Sequence, residues 1–112
     1  MIDPNRIAEL KALSGPDSSL LNELIDLYLS STPSHVKAIR AALAGRDAEK
    51  MEKSSHALRS ASVNLGANEL AALCEELELK GRNRNLSGAD PLVKRLENCY
   101  DEIVRNLLKL KE

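Results

Sequence analysis

The sequence predicts an all-α protein: an antiparallel four-helix bundle with a short N-terminal helix across one end. Three observations predict it. Apolar residues recur at spacings of three and four through several segments, the period of helices with one buried face. Gly and Pro are few, 5 and 4 of 112 residues, and most punctuate the boundaries between those segments. No segment sustains the alternation of a half-buried strand. Amphipathic helices joined by short turns have one economical packing, with neighbours antiparallel and apolar stripes inward. Residues 1–112 read as a single domain, long enough to bury a core without disulfides or metal.

Asp3-Pro4 reads as N-cap and first helical residue, and Gly15 as a stop. The first helix then covers about residues 4–13, with Ile7 and Leu10 inward. Asp17 or Ser18 caps the second helix, whose stripe is Leu21, Leu24, Ile25, Tyr28, Val36, Ile39 and Leu43. Thr32-Pro33 interrupts it and predicts a kink or break, because proline lacks an amide donor and disfavours a helical residue before it. Gly45 ends the helix. Asp47 caps a third helix, over about 48–65, closed by Gly66. The fourth carries Leu70, Leu73, Cys74 and Leu77 and stops near Gly81. A polar loop, G-R-N-R-N-L-S-G-A, follows. Asp90-Pro91 repeats the capping device of the N-terminus. The last helix has the stripe Leu92, Leu96, Cys99, Ile103, Leu107 and Leu110.

Composition excludes several function classes. With 16 basic and 17 acidic residues, the net charge is -1, which gives no general pull toward nucleic acid or anionic membrane. Trp and Phe are absent, so platforms for stacking bases are not expected. No apolar run approaches the roughly 20 residues of a membrane span. There is no signal-peptide pattern. Cys74 and Cys99 fall on apolar stripes and read as reduced, buried thiols. The expectation is a cytoplasmic monomer, free-standing or part of a longer protein.

One stretch, S-S-H-A-L-R-S-A-S-V-N-L-G-A at 54–67, carries chemistry. On the third helix Met51, Leu58 and Leu65 form the core line, flanked by Ser54, Ser55, Ala61 and Ser62. His56 lies about 140° to 160° from that line and points to solvent. Glu49, Glu52, Lys53, Arg59, Ser60 and Val63 share its face. Lys53 and Arg59 bracket the ring and suit an anion placed on it, since arginine binds phosphate in bidentate fashion. Ser60, Ala61, Gly66 and Ala67 are small and would let another protein approach closely. Val63, one heptad beyond His56, would add an exposed apolar contact to that docking patch. Glu52, four residues before His56, belongs to the same docking face; it is also a candidate to orient the ring, against the more ordinary reading of a plain solvated glutamate. The fitting chemistry is nucleophilic attack by a neutral imidazole on a phosphoryl group, with the partner supplying donor and metal.

Other residues carry less. His35, in T-P-S-H-V-K, reads as a surface histidine. His35, His56, Cys74 and Cys99 lack zinc-ligand spacing. Arg82 and Arg84 read as a solvated loop, or as attraction for an acidic partner surface.

The longer run S-H-A-L-R-S-A-S-V-N-L-G-A-N-E-L-A-A-L-C-E-E-L-E is more specific than its parts. It resembles the histidine-containing phosphotransfer domain of multistep two-component phosphorelays. The matching positions are His56, Leu58, Arg59, Ser60, Gly66-Ala67, Leu70, Leu73, Cys74 and Leu77-Glu78. Upstream, L-I-D-L-Y-L-S-S-T-P and A-L-A-G-R-D look like the family's second helix and following turn. Arg59 stands where lysine is common, and Ser60 where glycine is common; both keep the property, a cation and a small side chain. The resemblance implies that His56 accepts a phosphoryl group from an aspartyl phosphate on a response-regulator receiver domain. It then passes the group to an aspartate of another receiver. It also implies receiver domains as partners, with a hybrid sensor histidine kinase as a further one. Mg²⁺ is expected on the receiver, and no cofactor or metal on this chain. No glycine-rich nucleotide loop is present, which argues against an ATP-dependent kinase. A dimeric kinase hairpin fits poorly with five capped segments, and a non-catalytic helical adaptor is the alternative function.

Overall fold

The computed structural model describes residues 2–111. Among the described residues there are five helices: α1 (Pro4–Ser14), α2 (Ser19–Gly45), α3 (Ala48–Asn64), α4 (Asn68–Arg82) and α5 (Ala89–Leu110). Helices α2 to α5 form the bundle. Each packs on the next in sequence, and α5 returns to α2. Two ion pairs fix the antiparallel sense of that closing contact. Lys111, at the end of α5, meets Asp26 near the start of α2, and Arg46, just past α2, meets Asp90 in the first turn of α5.

The helix ends follow local chemistry. The Asp3 carboxylate accepts from the Asn5 amide, and the Asp47 carboxylate from the Lys50 amide, so each satisfies a donor that the first turn leaves free. Beyond Gly45, Arg46 takes the left-handed conformation at φ 51°, and its amide donates back to Ala42 and Leu43. The start of α5 differs from expectation. Gly88, at φ 75°, is the residue before the helix, and Asp90 lies inside the first turn. There Asp90 complements the helix dipole and pairs with Arg46 instead of capping. Of the kink or break expected at Thr32-Pro33, the break does not occur: α2 runs on through Pro33. Pro33 has no amide to give the Leu29 carbonyl, but the turn before it is held by Thr32, whose hydroxyl donates to the Tyr28 carbonyl at 2.6 Å.

The core runs the length of the bundle through Ile25, Ile39, Met51, Leu58, Leu70, Leu77, Leu96 and Ile103, all fully buried. Among the described residues every buried side-chain polar atom is partnered. Tyr28 hydrogen-bonds Ser62 at 3.0 Å, and Thr32 hydrogen-bonds Tyr100 at 2.8 Å, tying α2 to α3 and α5.

Two glycines set the geometry that matters for the site. Gly66, at φ 76°, turns the chain from α3 into α4. Its carbonyl accepts from the Asp3 amide at 2.8 Å, so α1 lies against this turn. Gly81 lies where the end of α4 meets the start of α3. A Cβ there would sit 2.6 Å from the Ala48 carbonyl oxygen and 2.6 Å from the Glu52 amide nitrogen. Only glycine permits this approach, which brings the last two turns of α4 beside the first half of α3.

Candidate functional site

His56 stands on the outer face of α3, as the helical wheel predicts. Its side chain is 58 % exposed. The ring is not free, because its Nδ1 lies 3.0 Å from Oε2 of Glu78, across the helix interface on α4. Glu78 is nearly buried, with 6 % of its side chain exposed. Such a carboxylate is tolerated only if its oxygens are well partnered. Arg59 Nε donates to Oε1 at 2.8 Å, and Arg82 Nη2 donates to Oε2 at 3.1 Å. Burial alone would push the Glu78 carboxyl up. The hydrogen bonds from Arg59 and His56 outweigh it and hold the group below the usual carboxylate range, so Glu78 is ionised.

That charge decides the imidazole tautomer. Nδ1 has two neighbours, Glu78 Oε2 and, at 3.2 Å, Arg59 Nη2. It cannot donate to one and accept from the other. An ionised carboxylate only accepts, so the hydrogen sits on Nδ1 and points at Glu78. Nε2 then carries the lone pair. It makes no hydrogen bond to the described residues, and the ring borders an open cleft of about 410 Å³ lined by Glu52, Lys53, His56, Glu78 and Arg82. A nucleophilic nitrogen thus faces solvent, backed by a buried negative charge and flanked by cations.

The other predicted site residues distribute unevenly. Arg59 is part of the network, with Nε on Glu78 and Nη2 3.2 Å from His56 Nδ1, and borders a smaller depression with Glu75 and Leu79. Lys53 lines the cleft, and its ammonium rests 2.8 Å from Glu49 on the helix surface. Ser60 and Val63 lie on the exposed face beyond His56, Val63 at 52 %. Glu52 does not orient the ring. It is half-buried and receives Arg82 Nε at 3.3 Å, because the close packing at Gly81 brings α4 within its reach. Gly66 and Ala67 are not on a free surface. Both are buried in the α3–α4 turn, with α1 laid against it: a Cβ on Gly66 would meet the Arg6 Cβ at 2.9 Å. Arg82 belongs to the last turn of α4, not to the loop, and Arg84 lies beyond it.

Sequence reasoning missed the roles of Glu78 and Arg82. A signal for Glu78 was present: it follows Leu70 by eight and Cys74 by four, which places a carboxylate on the buried edge of the α4 stripe. Arg82 follows Glu78 by four, an ion-pair spacing that becomes readable only if the helix is extended past Gly81. Among the described residues no cluster of His, Cys, Asp and Glu could hold a metal, and no helix is long and apolar enough to cross a membrane.

A family model described as the Hpt domain matches residues 23–106. Among solved structures, the crystal structure of histidine-containing phosphotransfer protein B (HptB) from Pseudomonas aeruginosa PAO1 is similar, with a TM-score of 0.87 and 24 % sequence identity. The match covers 98 % of this chain and 93 % of that one, and at this identity it speaks for the fold. No curated protein matches the chain.

Proposed function

The chain belongs to the Hpt-domain family of phosphorelay intermediates, which act with receiver domains, and on that premise we propose that His56 is its phosphoryl acceptor. One observation carries this reading. His56 is exposed, and its Nδ1 is held at 3.0 Å from an ionised, buried carboxylate, which leaves Nε2 as the nucleophile at an open cleft.

The step balances without further groups on this chain. Nε2 attacks the phosphorus of an aspartyl phosphate on a receiver. The N–P bond forms as the P–O bond to the aspartate breaks, and the electron pair leaves on the receiver's carboxylate. The imidazole ring becomes positively charged, since Nδ1 keeps its hydrogen. Glu78, already aligned with that N–H, stabilises the new charge without reorganisation. Reversal of the same step delivers the group to a second receiver's aspartate. Lys53 and Arg59 contribute positive charge near the phosphoryl oxygens, and Arg59 in addition fixes Glu78. Mg²⁺ acts on the receiver side, at the aspartate. Ser60 and Val63 extend the exposed face on which the receiver seats. A hybrid sensor kinase is a fitting upstream donor.

The test is phosphotransfer from a phosphorylated receiver in the presence of Mg²⁺. Label is expected on this chain, stable to alkali and lost in acid, and absent from His56→Gln with the fold intact. Equal labelling of His56→Gln would refute the assignment and put the acceptor at another residue, whereas no label on the parent would favour the non-catalytic adaptor.

A further inference from the structure

Arg82 is bound to two carboxylates at once, and the two bonds differ. Its Nη2 reaches the buried Glu78 Oε2 at 3.1 Å, while its Nε reaches the more open Glu52 Oε2 at 3.3 Å. Glu78 Oε2 is the same atom that holds His56 Nδ1 at 3.0 Å. The guanidinium and the imidazole are therefore fixed to a single oxygen, on the cleft that both of them line. The neighbouring cations are placed differently. Arg59 points Nε to the opposite oxygen of Glu78, with Nη2 3.2 Å from His56 Nδ1 and outside the cleft lining, and Lys53, on the cleft, is not tied to Glu78 but rests on Glu49 in an exposed pair.

We infer that Arg82 is the cation that clamps the phosphoryl group on His56, and that Glu52 is its resting counter-ion, exchanged for the phosphoryl group after transfer. The inference rests on His56 being the acceptor. A phosphoryl group on Nε2 adds about two negative charges and three acceptor oxygens to a cleft that already holds the carboxylates of Glu52 and Glu78. Without a responding cation, the group would face like charge. Arg82 can respond at little cost while staying anchored beside the ring. Its contact to Glu52 is long and partly exposed, so little is lost when it breaks, and its contact to Glu78 keeps the guanidinium in place throughout. A guanidinium fork then meets phosphoryl oxygens in bidentate fashion. Glu52 thus tunes the site: it competes with the phosphoryl group for Arg82 and favours onward transfer.

The experiment uses the full chain, a phosphorylated receiver and Mg²⁺, and reads the equilibrium of label between receiver and this chain together with the half-life of the isolated phosphoprotein. Arg82→Gln is expected to shift the equilibrium toward the receiver, and to shorten the half-life, on the order of tenfold, the worth of one charge-assisted contact. Arg82→Lys should recover part of the loss. Glu52→Gln should shift the equilibrium the other way by a few-fold, and the double variant should behave as Arg82→Gln, because Glu52 acts through Arg82. In the parent, the Arg82 Nε–H resonance should move on phosphorylation, which a merely structural arginine would not show. An unchanged equilibrium and half-life in Arg82→Gln, with label still lost in His56→Gln, overturns the clamp and leaves the acceptor assignment standing. Full labelling of His56→Gln overturns both.

Discussion

The Nδ1 of His56 lies 3.0 Å from the Oε2 of Glu78, so the exposed ring on α3 is aimed by a nearly buried carboxylate on α4. Replacing that carboxylate separates its two functions. Glu78→Gln keeps an acceptor for Nδ1–H but removes the charge, and is expected to slow phosphoryl acceptance about fivefold, the difference between a charge-assisted and a neutral hydrogen bond. Glu78→Ala also frees the ring to turn and leaves Arg59 and Arg82 without their partner. It should slow transfer further. Initial rates with a phosphorylated receiver measure both; equal rates in the parent and Glu78→Gln would show that the charge is not used.

Acid stability follows from the same carboxylate. The folded state holds Glu78 below the ordinary value of 4.5. In the unfolded chain the group therefore binds a proton at higher pH than in the folded one. Its contribution is complete above the unfolded value and is lost as pH falls through the folded one. Urea midpoints measured from pH 7 downward should fall less steeply below about pH 4.5 in Glu78→Gln than in the parent.

The alkaline side is governed by the core. Burial raises the Cys74 thiol from 9.0 to about 12 and also raises Tyr28, Cys99 and Tyr100. These groups ionise first in the unfolded chain, so stability is complete below their unfolded values and declines as pH rises above about 9. Thiol alkylation at pH 8 should be slow for the native protein and fast in denaturant. Rapid native labelling of Cys74 would contradict its burial.

Gly81 and Gly45 make a matched pair. Gly81→Ala drives a Cβ to 2.6 Å from the Ala48 carbonyl oxygen, whereas a Cβ at Gly45 meets nothing within 4 Å. Gly81→Ala is expected to cost about 1–3 kcal/mol by forcing α3 and α4 apart, and to perturb the His56 ring resonances through Glu78 and Arg82. Gly45→Ala should be neutral or stabilising, by up to about 1 kcal/mol, since alanine favours the helix. Thermal melts and imidazole chemical shifts read both.

Val63 tests the docking face. It is 52 % exposed and makes no part of the core. Val63→Asp should leave the melting temperature within a degree or two, as expected of a surface position, while raising the receiver concentration needed for half-maximal transfer several-fold. An unchanged concentration dependence would place the receiver on another face.

Much of this architecture was readable in the chain. Spacing alone delimits the helices to within a few residues, because each needs one apolar stripe and its ends need caps. Met51, Leu58 and Leu65 define the buried line of α3, and His56 opposite them is exposed for that reason alone. The run from His56 to Glu78 adds the resemblance to a phosphotransfer domain.

Only the tertiary structure decided what surrounds the ring. Glu52, one turn before His56, is within reach of the ring by spacing, but it is Glu78, 22 residues away, that holds Nδ1. Gly66 and Ala67 looked accessible until α1 was laid against their turn. Arg82 looked like loop until α4 ran past Gly81. The physical reason is common to all three. Periodicity states which face of a helix is buried, but not how two helices are rotated and shifted against each other. That register is set here by the close contact at Gly81 and by the packing of α1 on the Gly66 turn, and neither leaves a trace in the spacing of apolar residues.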